Sequence, residues 1–356
     1  MSSMPIGRRE FVRSSLALTA GASVLGSRWP AAAQPKPSSI VVTSFGGIWE
    51  KAVKENFAAC FKAKTGVDAQ VLIGTPTEWH AKILANRSNP PINALVGVDY
   101  DTFKGIEAGI FEKIPPEKVP HLKDIPKVFI DTYDGYAVML DWGAFGLLYN
   151  KRKIPNPPTS WAEFFDRAIK GEFGKKVSLP SINSPVGGHT IWTWAHLYGG
   201  SVDNIDPAFK KIKEIAPYNV KNWVGMPEPL QLIDSGEVDI VVYPDGRAWA
   251  FIDGGKDWAG YVNPKPGGYL APVQIGIVKN SPDIAWEYLN CALAPEPQLG
   301  FAKILRGYGV SNSKVVLPDD LKKRVTPWDQ ALFPPLREIS KKMPEWLERW
   351  NKEVGR

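Results

Sequence analysis

Two kinds of hydrophobic pattern follow each other along the first part of the chain. Residues 40–45 read IVVTSF, a run of strand type, and apolar positions then recur every three or four residues from 49 to 61. That spacing puts apolar side chains on one face of a helix, and Thr65-Gly66 provides a glycine at which a helix ends. The same two patterns recur through residues 67–98. The order strand, helix, strand, helix, strand predicts a mainly parallel sheet covered by helices.

Two long extended runs frame the second half of the chain. Residues 136–149 read YAVMLDWGAFGLLY, and residues 272–278 read PVQIGIV. Between them, Ser160 and Glu163 have the spacing of a capping box that opens a helix, and further strands and helices form a second α/β unit. Runs of this length suit strands that carry the chain between two domains. We therefore expect two α/β lobes joined by extended crossings, with a hinge and a central cleft.

The N-terminal 33 residues are set apart from these lobes. RREFVR at residues 8–13 precedes a short apolar run and Ala31-Ala32-Ala33, which is the order of parts in an export signal of the twin-arginine type. We expect cleavage after residue 33 and a periplasmic protein, whereas a basic tail on a cytoplasmic protein is the alternative. The first lobe is then predicted to comprise residues 34–144 and 266–308, and the second lobe residues 145–265 and 309–356.

The net charge argues against nucleic acid as a partner. The whole chain has a formal charge of +6, and removal of residues 1–33 takes away four arginines and one glutamate, which leaves +3. Lysine and arginine form no run longer than three residues. Such a mild excess is typical of an ordinary solvated surface.

Catalytic and metal-binding motifs are absent from the sequence. Gly-x-Ser-x-Gly, His-Glu-x-x-His and Gly-Lys-Ser do not occur, and the chain has four histidines. We therefore expect no enzymatic activity, no cofactor and no metal site, with carboxylate-based glycoside cleavage as the remaining enzymatic alternative. Cys60 and Cys291 each fall on the apolar face of a predicted helix. The expectation is two buried free thiols, and a long-range disulfide is the alternative.

Five phrases, in this order, resemble one protein family. They are TSFGGIWEKAV, DWGAFGLLYNK, PNPPTSWAEFFD, LIDSGEVDIVV, and the C-terminal SPDIAWEYLNCALAPEPQLGFA with GYGVSN. Together they resemble the extracellular solute-binding proteins of ABC importers, in the group of the spermidine and putrescine receptors and their ferric-ion relatives. The resemblance implies a type II periplasmic binding protein fold, with two mixed sheets and a central cleft. It also implies a monomer that delivers a small-molecule ligand to an inner-membrane ABC permease without chemical turnover.

The resemblance also implies which residues bind the ligand. In such folds the ligand lies between the lobes, where strand ends and helix N-termini present polar groups. The Gly46-Gly47 pair would let the backbone approach the ligand, beside the Ser44 hydroxyl and the Phe45 ring. Asp99 and Asp245 have an alternative role as helix caps. The implied ligand-binding residues are Ser44, Phe45, Gly46, Gly47, Asp99, Tyr100, Asp141, Trp142, Asn183, Tyr243, Asp245, Arg247 and Tyr269.

A polyamine-like compound is the first expectation for the ligand. Polyamine receptors hold ammonium groups with carboxylates and flank the methylenes with aromatic rings. Asp99, Asp141 and Asp245 are the candidate acids in this chain. Two departures weaken the expectation, because residues 179–185 and 269–273 contain no acid where polyamine receptors place further ones.

A small carboxylate or zwitterion is the alternative ligand. Arg247, His189 and backbone N–H groups would hold it, although His189 taken by itself is interpreted as a helix cap or a bystander. The adjacent tyrosine pair of the ferric-ion receptors does not occur in the C-terminal half, so iron is not expected. Closure on the ligand would present the paired lobes to the permease. Delivery to a sensor instead of an importer is an alternative that the sequence leaves open.

Overall fold

The computed structural model describes residues 37–355. The export signal expected over residues 1–33 lies outside this range. No helix in the described part is long and apolar enough to cross a membrane. The strands are β1 (Ser39–Ser44), β2 (Asp68–Ile73), β3 (Ala94–Val98), β4 (Val138–Asn150), β5 (Val177–Pro180), β6 (Asn219–Trp223), β7 (Ile240–Pro244), β8 (Ala259–Val262), β9 (Tyr269–Ile277) and β10 (Gly309–Val310).

Helices alternate with these strands and cover the sheet. The alternation that the sequence predicts is thereby confirmed. The α helices are α1 (Ile48–Ala52), which continues through a π-helical segment at Val53–Ala58 into α2 (Ala59–Thr65), α3 (Pro76–Ala85), α4 (Asp99–Glu107), α5 (Val128–Asp131), α6 (Trp161–Ile169), α7 (Gly187–Leu197), α8 (Asp206–Ile215), α9 (Glu228–Asp234), α10 (Asp245–Asp253), α11 (Ala285–Ala292), α12 (Pro295–Leu305), α13 (Asp319–Lys322) and α14 (Leu336–Glu353). Short 3-10 helices lie at Pro116–Lys118, Pro120–Asp124, Ala216–Tyr218 and Trp328–Gln330.

The start of α6 shows how local sequence sets an element boundary. Ser160 precedes the helix and its hydroxyl accepts the Glu163 backbone N–H at 3.1 Å, as the capping motif predicts. The Glu163 carboxylate accepts the N–H and the hydroxyl of Thr159, each at 2.8 Å, so the reciprocal half of the motif is shifted by one residue. Both interactions satisfy backbone donors that a helix start leaves unpaired.

A mixed sheet runs continuously through the described residues. Its strands lie in the order β2-β1-β3-β9-β4-β7-β5-β6, while β8 and β10 also pair with β4. β1 is parallel to β2 and β3, and β5 is parallel to β6 and β7. β4 has 13 residues and pairs with β9 along its first part and with β7 and β8 along its second. The two expected mixed sheets are therefore hydrogen-bonded into one, because β4 is long enough to belong to both.

Two hydrophobic cores lie along this sheet. The first core packs α1, α2, α11 and α12 against β1, β3 and β9, and Phe57 and Phe301 are among its members. The second core packs α6, α7, α8 and part of α14 against β5 and β7, around Phe164 and Trp223. Along β4, Ala144 belongs to the first core and its neighbour Phe145 to the second. The lobe boundaries given above stay a prediction.

Cys60 on α2 and Cys291 on α11 form a disulfide bond. The expectation of two free thiols is therefore wrong. The helices pack against each other, with the Phe61 and Tyr288 rings 5.9 Å apart, and the two cysteine Cα atoms are also 5.9 Å apart. That separation suits a disulfide. The apolar context of each cysteine was correctly read, but the contact between two helices 231 residues apart is not visible in either segment.

The first turn of α10 packs closely against the segment that precedes β10. A Cβ atom at Gly246 would lie 2.1 Å from Tyr308 Cδ2, and one at Gly307 would lie 2.9 Å from Gly246 Cα. At the other end of α10, Asp253 accepts hydrogen bonds from Arg306 Nε at 2.8 Å and from Arg324. Both ends of α10 are thus held against residues near the first core.

Removal of the disulfide should lower stability. We expect the double variant Cys60→Ser/Cys291→Ser to lose roughly 2 to 5 kcal/mol of unfolding free energy, since the bond closes a long loop in the unfolded chain. Urea unfolding of oxidised and reduced wild type beside the double variant measures this. Reduced wild type should match the variant, and an unchanged midpoint on reduction would show that the bond contributes nothing.

Gly246→Ala should destabilise the protein although it lies in a helix. Alanine normally stabilises a helix by about 1 kcal/mol relative to glycine, but here the new methyl group meets the Tyr308 ring. We expect a lower melting temperature by calorimetry. Gly225→Ala is the control, because its methyl group meets only Pro227 Cδ at 3.8 Å, an ordinary contact. Equal melting temperatures for the two variants would contradict the close packing.

Candidate functional site

Two buried carboxyl groups lie near each other where β4 meets α10. Asp141 lies within β4 and is 0% exposed, and Asp245 is the first residue of α10 and is 1% exposed. Asp245 Oδ1 accepts the Gly246 N–H at 2.7 Å, and its carboxyl also accepts backbone N–H groups of Ala144 and Thr326. Neither carboxyl oxygen of Asp141 has a hydrogen-bond partner among residues 37–355.

Strand geometry explains why the two groups meet. Side chains two residues apart on a strand point to the same face, so Asp141 and Gly143 share one face of β4. A Cβ atom at Gly143 would lie 3.3 Å from Asp245 Oδ1 and 2.9 Å from Tyr308 Cε1. Because glycine has no side chain, Asp245 and Tyr308 approach the strand there, beside Asp141.

Burial makes both carboxyl groups resist ionisation. It raises the pKa of Asp141 well above its usual range, and the neighbouring charge of Asp245 raises it further. Burial also raises the pKa of Asp245, although the backbone N–H groups that it accepts oppose the shift. A buried carboxylate without hydrogen bonds is unfavourable unless a proton or a cation accompanies it. This pair of carboxyl groups is therefore suited to a positively charged partner.

Aromatic rings and one arginine surround the pair. Arg247 hydrogen-bonds the Tyr308 side chain, and burial raises the pKa of Tyr308 to about 12, which keeps its hydroxyl neutral. The Tyr308 ring lies 6.4 Å from the Trp49 ring, and Trp49 lies 5.3 Å from Phe45. This row of rings leads from the carboxyl pair to the loop before α1. We call Asp141, Asp245, Arg247 and Tyr308 the carboxyl site.

Several expected ligand-binding residues meet here, and one participant was missed. The structure brings Asp141, Asp245 and Arg247 together, with Phe45 at the far end of the row of rings. Tyr308 was not among the candidates, although the GYGV phrase that contains it contributed to the resemblance. A tyrosine between two glycines, which lets its ring pack against a backbone, is the signal that could have identified it.

The other expected residues lie apart from the carboxyl pair, in several different places. Ser44 is buried and its hydroxyl donates to the Phe45 carbonyl, while Gly47, at φ 74°, immediately precedes α1. Tyr243 is buried in the second core and donates to the Met226 carbonyl. Tyr269 stacks on Phe145 and shares a 2.6 Å hydrogen bond with Thr190. Gly46 and Tyr100 are partly exposed, and Asn183 is exposed.

Trp142 lies next to an apolar cavity instead of the carboxyl pair. Its indole N–H donates to the Thr326 carbonyl at 2.9 Å, and its ring packs against Phe129. With Trp328, these rings line a cavity of about 220 Å³. Neighbouring side chains on a strand point to opposite faces, so Trp142 and Asp141 lie on different faces of β4.

Asp99 belongs to a second polar cluster, between the two cores. Its carboxyl accepts hydrogen bonds from the Tyr133 hydroxyl and the Gln274 amide, both at 2.8 Å, and contacts His189 Nε2 at 2.8 Å. Asp99 is the first residue of α4, where no side-chain cap is formed, so the helix-cap alternative does not hold. His189 is likewise no bystander, because it bonds Asp99. No group of three or more His, Cys, Asp or Glu side chains within residues 37–355 is arranged to hold a metal ion.

Comparison with known proteins agrees with this fold. Residues 56–326 match the family model described as bacterial extracellular solute-binding protein. The gamma-aminobutyric acid-binding protein of Pseudomonas aeruginosa is 24% identical over 286 residues, which are 78% of this chain and 77% of that protein. The thiamine-binding periplasmic protein of Escherichia coli is 26% identical over 225 residues, 62% of this chain and 64% of that protein. The crystal structure of an ABC transporter from Clostridium perfringens superposes with a TM-score of 0.73 at 26% identity, covering 88% of this chain and 99% of that one.

The family match spans more than half of the chain. The relatives are named as proteins that bind a solute or belong to a transporter, and none of these names describes an enzyme. The chain belongs to the bacterial extracellular solute-binding proteins, and it is a periplasmic solute-binding component of an ABC transporter.

Proposed function

We propose that this receptor captures a small organic solute that carries a positively charged amine, and that the best fit is a zwitterion with an amine at one end and a carboxylate at the other. The observation that carries the proposal is the Asp141 carboxyl group, which is fully buried with both oxygens unpartnered among residues 37–355. Evolution rarely leaves such a group in a protein interior without a role, because its burial costs stability.

An ammonium group fits the carboxyl site by charge and by donor number. It offers three N–H donors, and Asp141 and Asp245 together offer four acceptor oxygens, of which Asp245 already uses some for backbone N–H groups. Its positive charge would favour the ionised form of both carboxyl groups. Tyr308 and, beyond it, Trp49 place aromatic rings near the same point, where a cation is attracted to their faces.

Arg247 favours a zwitterion over a polyamine. It lies two residues after Asp245 and bonds Tyr308, so a carboxylate at the far end of the ligand would meet a guanidinium suited to bidentate contact. A second ammonium group at that place would be repelled. Two relatives are named for gamma-aminobutyric acid and thiamine, each of which carries a positively charged nitrogen. The polyamine-like ligand expected from the sequence is retained as the second candidate, carried by the two acids.

Transport follows from binding by closure of the lobes. A ligand that contacts both Asp141 and the α10 side stabilises the closed arrangement by its differential affinity for it. The closed pair of lobes would then be the form that the permease accepts. A monomeric state and export through the twin-arginine route complete the proposal.

A ligand panel should separate the candidate classes. We expect 4-aminobutyrate and 5-aminopentanoate to raise the melting temperature more than putrescine, spermidine or butyrate, because only the first two satisfy both ends of the site. A ligand at a hundredfold excess over its Kd stabilises the native state by about 2.7 kcal/mol. Thermal shift followed by calorimetric titration measures this. A response to putrescine and spermidine alone would restore the polyamine, and a response to butyrate alone would remove the amine from the proposal.

The variant Arg247→Met should change this ranking. We expect it to weaken binding of the aminocarboxylates by tenfold or more, which corresponds to about 1.4 kcal/mol or more, and to leave putrescine binding equal or stronger. Arg152→Met, at an exposed position in a weak ion pair, is the control and should change neither. Equal losses for both ligand classes would place Arg247 in a structural role.

Asp141→Asn should weaken ligand binding and reduce the loss of stability that the ligand-free protein shows as the pH rises. Loss of a buried charge partner costs about 3 kcal/mol or more, over a hundredfold in Kd. Burial raises the pKa of Asp141, so the folded state keeps its proton where the unfolded chain has lost it, and the wild type loses stability as the pH rises above the ordinary aspartate value of about 4. The variant should lack the part of this loss that Asp141 contributes, so its melting temperature relative to wild type should rise with pH, while the part from Asp245, whose pKa is also raised by burial, should remain. Asp257→Asn, whose side chain is 90% exposed, is the control. Parallel stability curves and unchanged affinity would overturn the assignment.

A further inference from the structure

A hydrogen-bonded pair connects the two cores away from the carboxyl site. Asp99 opens α4, whose Phe103 lies in the first core, and His189 lies in the first turn of α7, whose Ile191 lies in the second core. Asp99 Oδ2 and His189 Nε2 are 2.8 Å apart, and the residues are 3% and 6% exposed. This contact is therefore buried at the boundary between the two cores, which we call the seam.

Asp99 is held by groups on the first-core side. The Tyr133 hydroxyl and the Gln274 amide both donate to Oδ1, and the Thr102 hydroxyl donates to Gln274 Oε1 at 2.9 Å, which orients the amide. Oδ1 thus has its donors from the first core and from β9. Oδ2 is left for His189, which comes from the other side of the seam.

His189 is equally fixed to the second-core side. A Cβ atom at Gly188 would lie 2.7 Å from Met343 Sδ and 2.8 Å from Ile339 Cγ2, so the start of α7 is pressed against α14. Among the described residues, Nδ1 of His189 has no hydrogen-bond partner. The imidazole therefore has its one described hydrogen bond across the seam and none within its own core.

We infer that Asp99 and His189 form a latch that stabilises the closed arrangement of the two lobes, and that they act as positioning residues without touching the ligand. The bond exists only while α4 and α7 are together, and separation returns both groups to water. An interaction made in one state alone shifts the equilibrium toward that state. The inference rests on the receptor function and not on the identity of the ligand.

A latch and a ligand contact predict different patterns of affinity. If binding requires the closed state, the apparent Kd is the intrinsic Kd divided by the closed fraction. Loss of the latch then weakens every ligand by the same factor, whereas loss of a ligand contact weakens only ligands with the group that it recognises. As a member of the latch, Asp99 would not contact the ligand, in contrast to the ligand-binding role that the resemblance implies.

The test compares His189→Phe, which keeps a ring and deletes the donor, with His189→Gln, whose amide can still donate to Asp99. For all ligands that bind the wild type, we expect His189→Phe to raise Kd by one common factor of about five- to thirtyfold, mainly through faster dissociation. His189→Gln should recover part of the loss. Thr190→Val is the matched control, because it removes the neighbouring hydrogen bond to Tyr269, a member of the second core like the helix itself. It should lower the melting temperature and leave the Kd of each ligand unchanged.

Small-angle scattering of the ligand-free proteins gives a reading that needs no ligand. His189→Phe should be more extended on average than the wild type, and Thr190→Val should match the wild type. A ligand-dependent loss in Asp99→Asn or His189→Phe would make these residues ligand contacts and overturn the inference. Equal scattering and unchanged affinity would also overturn it. If the ligand panel fails, the scattering comparison still decides, so the latch and the proposed ligand can fail separately.

Discussion

The structure depends on the pairing of β4 with partners from both halves of the chain. Its first residues pair with β9 and belong to the first core, and its last residues pair with β7 and β8 and belong to the second. One strand hydrogen-bonded on both sides keeps the two cores in register through backbone bonds alone. The polar groups between the cores are consequently brought to defined positions.

The carboxyl site is placed by that constraint. Asp141 lies on β4 three residues before the change from one core to the other, and α10 begins where β7 ends, so Asp245 reaches the same point. Gly143 and Gly246 remove the side chains that would keep Asp245 and Tyr308 from the strand. Two acids that both resist ionisation are thus brought together at the expense of stability, which is typical of sites shaped by binding.

Two clusters divide the work between the cores. Within the part of the chain that the structure describes, the carboxyl site has acceptors without hydrogen-bond partners and a neighbouring arginine, which are features of recognition. The Asp99 carboxyl accepts hydrogen bonds from groups on the first-core side and contacts His189 on the second-core side, so this cluster connects the two cores. Aspartates that follow a strand look alike in sequence, and their different partners distinguish them only after folding.

Periodicity determined the local elements, because helix and strand patterns depend on neighbours a few residues apart. The alternating α/β order could be inferred that way, and the start of α6 from the capping motif at Ser160. Membership in a solute-binding family was implied by the resemblance of five phrases. Contacts between distant segments could not be inferred from local patterns: the bond between Cys60 and Cys291, the meeting of His189 with Asp99, and the place of Tyr308 beside Asp141 join residues whose local sequences are independent of each other. The residue types of the site were therefore present in the sequence, but the tertiary structure alone decided which carboxyl groups are partnered, because burial and hydrogen bonding are properties of the packed chain.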